Sequence, residues 1–332
     1  MSAKPRILSG MRSTNDRLHL GNYEGALRNW VELQDQYDMF CMVADWHVLT
    51  TAADAEVHPD IAANSLAIAK DFIAAGIDPA KSAIFRQSDV PEHAELALLL
   101  GMVVGVGKLE TNPTFKEKAS EVTGDHIVSY GLLGYPVLQA ADILLYKPFG
   151  VPVGKDQAPH LELSRDIARS FNHLFGEVFP MFKDLIPSDE SRSKLPGLDM
   201  RKMSKSYDNC IYLSDSAEET AKRIKQAYTT PTKIAKTDPG IPEGCAVCQY
   251  LKLYSPDWER QWAEDRAGER GCSQSKQELT EVLNEYLRPM RERRAGITDA
   301  DVEDILQEGA KRARLVAGET MYEVRKAMKL IK

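Results

Sequence analysis

No stretch of this sequence approaches the roughly 18 consecutive apolar residues that a bilayer-crossing helix needs, so no membrane span is expected. Nor does the beginning, MSAKPRILSG, hold the apolar core of an export signal, and the chain is expected in the cytoplasm. Cysteines are few and odd in number, five among 332 residues (Cys41, Cys210, Cys245, Cys248 and Cys272). That count argues against a disulfide framework and leaves free thiols or a metal site. Low-complexity tracts and internal repeats are also missing, which removes any compositional sign of disorder. Positive charge is in deficit: 42 Lys and Arg stand against 49 Asp and Glu, a formal net charge of −7. This balance argues against nucleic acid as a partner unless basic residues cluster locally. What remains is ordinary globular composition, 43% hydrophobic and 27% charged, long enough for one large domain and a smaller one.

The apolar residues have two periods. Arg6 to Gly10 reads as a short buried strand ending at glycine, and Met39 to Ala44 as a central strand with Asp45, Trp46 and His47 at its end. Ala83 to Arg86 and Val151 to Gly154 continue the series. Between them, Ala26, Leu27, Trp30, Val31 and Leu33 recur at helical spacing and predict a helix from near Gly21. Further helices are predicted from about Ile61 to Ala75, closed by Gly76, and from about Gln157 to Phe171. Such alternation implies an α/β fold with a doubly wound, Rossmann-like parallel sheet. Its site should lie where Ser9-Gly10, Asp45 to His47 and Gln87-Ser88 converge beyond the strand ends. From about residue 215 strand-like runs nearly vanish. Charged helices at Ala217 to Tyr228, Lys276 to Arg294 and Val302 to Leu330 predict a smaller helical domain.

Two segments carry phosphate chemistry. His19-Leu20-Gly21-Asn22 places a glycine at a helix start, where free backbone N–H groups favour an anion and His19 and Asn22 can donate to it. About 180 residues later, Lys202-Met203-Ser204-Lys205-Ser206 sets two ammonium groups beside two hydroxyls. Such groups can stabilise charge developing on a departing pyrophosphate, although a solvated basic turn would look the same. As a pair, HLGN and KMSKS resemble the signatures of class I aminoacyl-tRNA synthetases. Gly10, Asn22 to Leu27, Phe115-Lys116-Glu117-Lys118 and Val151 to Arg165 resemble the tryptophanyl family in particular.

The resemblance implies attack of an amino acid carboxylate on the α-phosphorus of ATP, then transfer of the aminoacyl group to a tRNA ribose, with Mg²⁺ balancing phosphate charge. By motif matching, ATP is expected at Gly10, Met11, Arg12, His19, Gly21, Asn22, Gly154, Asp156, Lys202, Met203, Ser204 and Lys205. The catalytic members are expected to be His19, Asn22, Lys118, Lys202 and Lys205. It further implies a catalytic domain over 1–200, a signature loop over 201–210, a helical anticodon-binding domain over 211–298, a final helix over 299–332 packed back on the first, and a homodimer.

For the amino acid, the informative stretch is Tyr135 to Tyr146, mostly apolar with Asp142 in its middle. A buried carboxylate needs donors, and an indole N–H, which only donates, would serve. A tyrosine phenol would serve equally, so Asp142 alone does not separate tryptophan from tyrosine. The text YPVLQAADILLY followed by VPVGKDQ resembles the tryptophanyl pattern. It implies L-tryptophan contacts at Leu8, His47, Tyr135, Gln139, Asp142, Ile143, Val151, Val153 and Gln157.

Three departures stand out. Arg12 occupies the place of a glutamine usual in the family, and a guanidinium donates but cannot accept. Lys155 stands at a commonly acidic position. The segment around Cys245 and Cys272 resembles a four-cysteine iron–sulfur site of some relatives, with Cys248 nearby and Asp265 and Ser275 in place of two cysteines; three thiolates could still hold a metal, but none is expected. The clusters Lys222-Arg223-Lys225, Arg288 to Arg294 and Lys311-Arg312-Arg314 are candidate tRNA(Trp) faces. Two other readings stay open: a tyrosyl enzyme, and a non-catalytic paralogue that binds tryptophan.

Overall fold

The computed structural model describes residues 4–14, 16–50, 59–112, 115–116, 128–154, 158–187, 192 and 195–332. Its frame is a parallel sheet of β1 (Arg6–Arg12), β2 (Asp38–Ala44), β3 (Ser82–Arg86), β4 (Gly150–Pro152) and β5 (Lys183–Leu185). They lie in the order β3-β2-β1-β4-β5, the half-sheet order of doubly wound folds. Successive side chains alternate between two cores. Ile7, Met39, Cys41, Val43 and Ile84 face one, and Leu8, Phe40, Met42, Ala44, Ala83 and Phe85 face the other. A sheet buried on both faces explains why its strands read as unbroken apolar runs.

β1 pairs with β2 along all seven residues from Arg6 to Arg12, but with β4 only at Ile7 and Gly150. The strand order reverses between β1 and β4. A ligand crevice belongs at that place in such sheets.

The helix predicted from Gly21 arrives in pieces: α1 (Leu20–Asn22), a π-helical turn over Tyr23–Leu27, and α2 (Arg28–Leu33). A single π turn commonly marks a functional site. After β2 come α3 (Trp46–Leu49) and α4 (Ile61–Ala75). Asp60 caps α4 by accepting from the Ala63 N–H at 3.0 Å, and Gly76 ends it with φ of 114°, a conformation open to glycine. The connection from β3 to β4 carries α5 (Glu92–Gly101), α6 (Val106–Glu110) and α7 (Tyr130–Leu145), and α8 (Ala158–Phe175) leads on to β5.

The remaining helices are α9 (Ala217–Gln226), α10 (Ala246–Tyr254), α11 (Trp258–Ala267), α12 (Cys272–Ala295) and α13 (Asp299–Ala327). α12 packs on α4, α9 and α10. α13 runs back along β3, where Gly309 lies so close that a Cβ there would sit 1.8 Å from the Ile84 carbonyl oxygen. The outer edge of the sheet is thereby covered, which removes a site for unwanted strand pairing.

Glu24, buried on the π turn, ties this first half to the helical half. Tyr254 and Tyr286 donate to its Oε1 at 3.0 and 2.8 Å, while Arg28 and Arg192 stand 3.5 and 3.4 Å from Oε2. A buried carboxylate so supplied keeps its charge satisfied.

Candidate active site

The two signature segments, distant in sequence, meet in space. Leu20 N–H donates to the Ile211 carbonyl at 2.9 Å, Leu213 N–H to Leu18 at 2.9 Å, and His19 and Tyr212 form an antiparallel bridge. Gly21 N–H points at the Met203 sulfur at 3.2 Å, and a Cβ on residue 21 would lie only 3.1 Å from the His19 ring and 3.2 Å from that sulfur. Close approach between the segments is what requires glycine here.

His19 and Asn22 cap each other. Asn22 N–H donates to His19 Nδ1 at 3.2 Å, and His19 N–H donates to Asn22 Oδ1 at 3.1 Å. With Nδ1 an acceptor, the ring proton sits on Nε2 and leaves a donor for a ligand. Desolvation lowers the His19 pKa to about 4, so the ring is neutral at physiological pH. In the second segment Met203 is buried, Lys202 and Lys205 are exposed, and Lys205 Nζ reaches Asp16 at 3.3 Å. Asn209 fastens the loop, accepting from Ser204 N–H at 2.8 Å and donating to the Lys202 carbonyl at 3.0 Å. Ser204 in turn caps the following turn.

Gly10, Met11 and Arg12 form the C-terminal end of β1, with Gly10 and Arg12 exposed, and Val153 and Gly154 follow β4 across the crevice. Ser9 Oγ donates to the Pro152 carbonyl at 3.1 Å and pins the two strand ends together. Desolvation lowers the Arg12 pKa against an opposing contribution from the nearby Tyr135 phenol. Leu8, Ile143 and Val151 are buried in the core on the side of α7, and Val153 packs against them. Tyr135 is buried on α7 and Gln139 half-buried one turn later. Lys118, Lys155, Asp156 and Gln157 lie outside the described residues.

Asp142, 3% exposed on α7, is the centre of a polar network in an apolar setting. Gln87 Nε2 donates to its Oδ1 at 2.8 Å, His93 Nδ1 lies 2.7 Å from the same oxygen, and His47 Nε2 lies 2.8 Å from Oδ2. His93 Nε2 is 2.9 Å from the Tyr146 hydroxyl. Gln87 is held from its other end, where Oε1 accepts from Trp46 N–H at 3.2 Å, and Asp45 Oδ1 accepts from Trp46 and Ser88 N–H at 3.0 Å each. Burial opposes ionisation of Asp142, yet hydrogen bonds from His47 and His93 outweigh it and hold its pKa below the usual value. An ionised carboxylate only accepts, so both imidazoles present N–H groups to it.

Sequence reasoning found Asp142 and His47 but not the roles of His93 and Tyr146, and it placed Gln87 only at a strand end. A signal existed: a carboxylate inside an apolar helix demands donors, and Gln87 and His93 bracket the start of α5, which packs on α7.

A family model described as tRNA synthetases class I (W and Y) matches residues 1–288. The chain belongs to this family. Among curated relatives of the synthetase, a tryptophan–tRNA ligase of Thermotoga maritima is 46% identical, the match covering 98% of this chain and 99% of the relative. One of Aquifex aeolicus is 41% identical over 98% and 100%. Among solved structures, tryptophanyl-tRNA synthetase of Campylobacter jejuni complexed with ADP and tryptophan superposes with a TM-score of 0.86 at 34% identity, covering 98% and 99% of the two chains. The synthetase fold and its α/β class agree with the expectation from the strand and helix pattern.

The cysteines of the helical part sit at helix starts. Cys245 precedes α10 and Cys248 lies in its first turn, both buried, while Cys272 begins α12. Asp265 is instead paired with Lys233, at 3.4 Å, with both side chains nearly buried. Among the described residues no three His, Cys, Asp or Glu side chains stand as a group able to hold a metal.

Many of the basic residues expected to face tRNA have partners within the fold. Arg223 pairs with Asp208 and Asp215, Arg288 with Glu285 and Glu292, Arg294 with Asp71, Lys311 with Glu308, Arg312 with Asp38 and Arg314 with Glu92. Arg291 donates to Asn284 and Thr220, and Arg293 to the Ala74 carbonyl. Arg293 and Arg294 thus join α12 to α4 rather than project from it. Among the described residues no helix is long and apolar enough to cross a membrane.

Proposed function

We propose that this synthetase activates L-tryptophan with ATP and transfers it from the adenylate to tRNA(Trp), releasing diphosphate and AMP. The choice of tryptophan over tyrosine is carried by the relatives, tryptophan–tRNA ligases matched over nearly the whole chain, and Asp142 supplies the acceptor that an indole needs. Among the described residues its Oδ2 takes one donor where Oδ1 takes two, which leaves acceptor capacity for an indole N–H. Leu8, His47, Tyr135, Gln139, Ile143, Val151 and Val153 surround the indole at this polar point, and Gln157 meets the amino group. A site built to hydrogen-bond its ligand rejects phenylalanine, because the polar group is then left unpaired.

ATP lies across the crevice between the ends of β1 and β4, with Gly10, Met11, Arg12, Gly154 and Asp156 beside it and Gly21 allowing close approach. The Nε2–H of neutral His19 and the amide of Asn22 donate to phosphate oxygens. The tryptophan carboxylate attacks the α-phosphorus, and Lys202, Lys205, Ser204 and Lys118 meet the charge that develops on the departing diphosphate. Lys205 exchanges Asp16 for the triphosphate to do so. Bound Mg²⁺ would, together with Lys202 and Lys205, offset the phosphate charge.

The helical part over 211–298 receives the anticodon, and the helix over 299–332 braces it against the catalytic part over 1–200. A homodimer fits the exposed apolar side chains Leu98, Met102 and Val106 on and between α5 and α6, with Tyr130 opening the neighbouring α7. The workplace of such an enzyme is the cytoplasm, where charged tRNA is used.

The test is ATP–pyrophosphate exchange by the purified chain with tryptophan, tyrosine and phenylalanine in parallel. Exchange with tryptophan alone is expected, falling about 10²- to 10³-fold in Lys205→Ala. Exchange with tyrosine instead would reassign the substrate. Tryptophan binding without exchange would leave only the non-catalytic reading.

A further inference from the structure

We propose that His93 is a positioning residue for tryptophan selection, one that never touches the substrate but fixes which lone pair of Asp142 is offered to the indole N–H. This rests on the reading of Asp142 as the indole acceptor.

His93 is fully buried at the start of α5 and stacks against Phe85, with ring centroids 6.1 Å apart. Its two nitrogens have different partners: Nδ1 lies 2.7 Å from Asp142 Oδ1, and Nε2 lies 2.9 Å from the Tyr146 hydroxyl. An ionised Asp142 requires the proton on Nδ1, so Nε2 is the acceptor and Tyr146 the donor. The order Tyr146 to His93 to Asp142 is then a one-way chain of donors, anchored at one end on α7 and at the other on the residue that caps it.

Gln87 also donates to Oδ1, at 2.8 Å. Two donors on one oxygen fill it and stop the carboxylate from rotating about its terminal torsion, a broad, soft torsion when unrestrained. His47, at 2.8 Å, fills one side of Oδ2. The remaining lone pair therefore has one fixed direction, and a bond to an ionised acceptor gains most from such alignment. Without His93, Gln87 alone holds Oδ1 and the free lone pair loses its aim.

The test exploits an amide that can imitate either nitrogen of the ring. In His93→Asn the side-chain NH₂ falls near the place of Nδ1 and keeps the bond to Asp142. In His93→Gln the amide reaches the place of Nε2, where its oxygen accepts from Tyr146, and the bond to Asp142 is lost. The readout is the ratio of kcat/KM in pyrophosphate exchange for tryptophan over its benzothienyl analogue, in which sulfur replaces the indole N–H. That ratio isolates the hydrogen bond from pocket shape and from folded fraction. We expect His93→Asn to keep most of the wild-type preference and His93→Gln to lose roughly tenfold or more of it, the scale of one hydrogen bond to a charged group.

Equal ratios in wild type and His93→Gln, or equal losses in the two variants, would overturn the role of His93 alone. A wild-type enzyme indifferent to the sulfur substitution would overturn the indole reading of Asp142, and this inference with it. Should neither His93 variant accumulate folded, Tyr146→Phe decides: it removes the outer bond and is expected to lower the ratio about threefold, on the scale of a neutral hydrogen bond, whereas an unchanged ratio overturns the proposal.

Discussion

Asp142→Asn changes one atom and preserves volume, so its consequences are those of hydrogen bonding and charge. The carboxylate meets Gln87 and His93 on Oδ1 and His47 on Oδ2. Asparagine has a single acceptor oxygen. Its best arrangement keeps that oxygen toward Gln87 and His93 and turns the NH₂ toward His47, which must then shift its proton to the other ring nitrogen to accept. Three charge-assisted bonds become neutral ones, a loss of about 2–4 kcal/mol in folding stability at about 1 kcal/mol each. For a chain of this length that corresponds to a melting temperature lower by about 3–6 °C. Tryptophan fares worse, because its N–H now faces an NH₂, donor against donor. Losing one bond to a charged acceptor is worth about 1.5–3 kcal/mol, or about 10- to 150-fold in kcat/KM for tryptophan. Differential scanning fluorimetry and pyrophosphate exchange measure the two effects separately. An Asp142→Asn enzyme that melts with the wild type and shows unchanged kcat/KM for tryptophan refutes this account of the site.

Gly309→Ala drives a methyl group into the Ile84 carbonyl and should destabilise the chain by about 1–3 kcal/mol, read as a lower urea midpoint; an unchanged midpoint would mean that α13 can lift off β3 without cost. Glu24→Ala strands the Tyr254 and Tyr286 hydroxyls and two guanidinium groups, and should cost about 3–5 kcal/mol in the same measurement. His19, followed by NMR of labelled histidine, should titrate near pH 4 rather than at its ordinary 6.5. Because the unfolded chain takes up that proton more readily, the stability tied to His19 should be complete above about pH 6.5 and decline as pH falls toward 4; a midpoint near 6.5 would contradict the buried cap.

Much of the frame was legible because buried parallel strands leave a plain mark. β1, β2 and β3 each contain an apolar run that announces them, and α4 carries its own stop at Gly76. β5 left none: Lys183-Asp184-Leu185 is three residues long, mostly polar, and becomes a strand by pairing with β4. The π turn over Tyr23–Leu27 was equally hidden, since its residues keep a helical pattern and only the packing of Glu24 against α10 and α12 distinguishes it. In the site, the chemistry of Asp142 was legible from burial alone, whereas its donors come from β3's end, α3 and α5 and depend on the fold. The basic clusters were legible only as charge. Counting lysines and arginines along α12 and α13 reveals positive charge but not the acidic partners, such as Asp71 and Asp38, that the tertiary structure sets against them.

The connection from β3 to β4 contains Gln87, His93, Asp142 and Tyr146 together, while His19, Gly21, Met203 and Lys205 belong to other parts of the chain. The polar network around Asp142 and the two signature segments are thus written largely in separate stretches of sequence. A change confined to that crossover can therefore alter the surroundings of Asp142 while HLGN and KMSKS stay as they are.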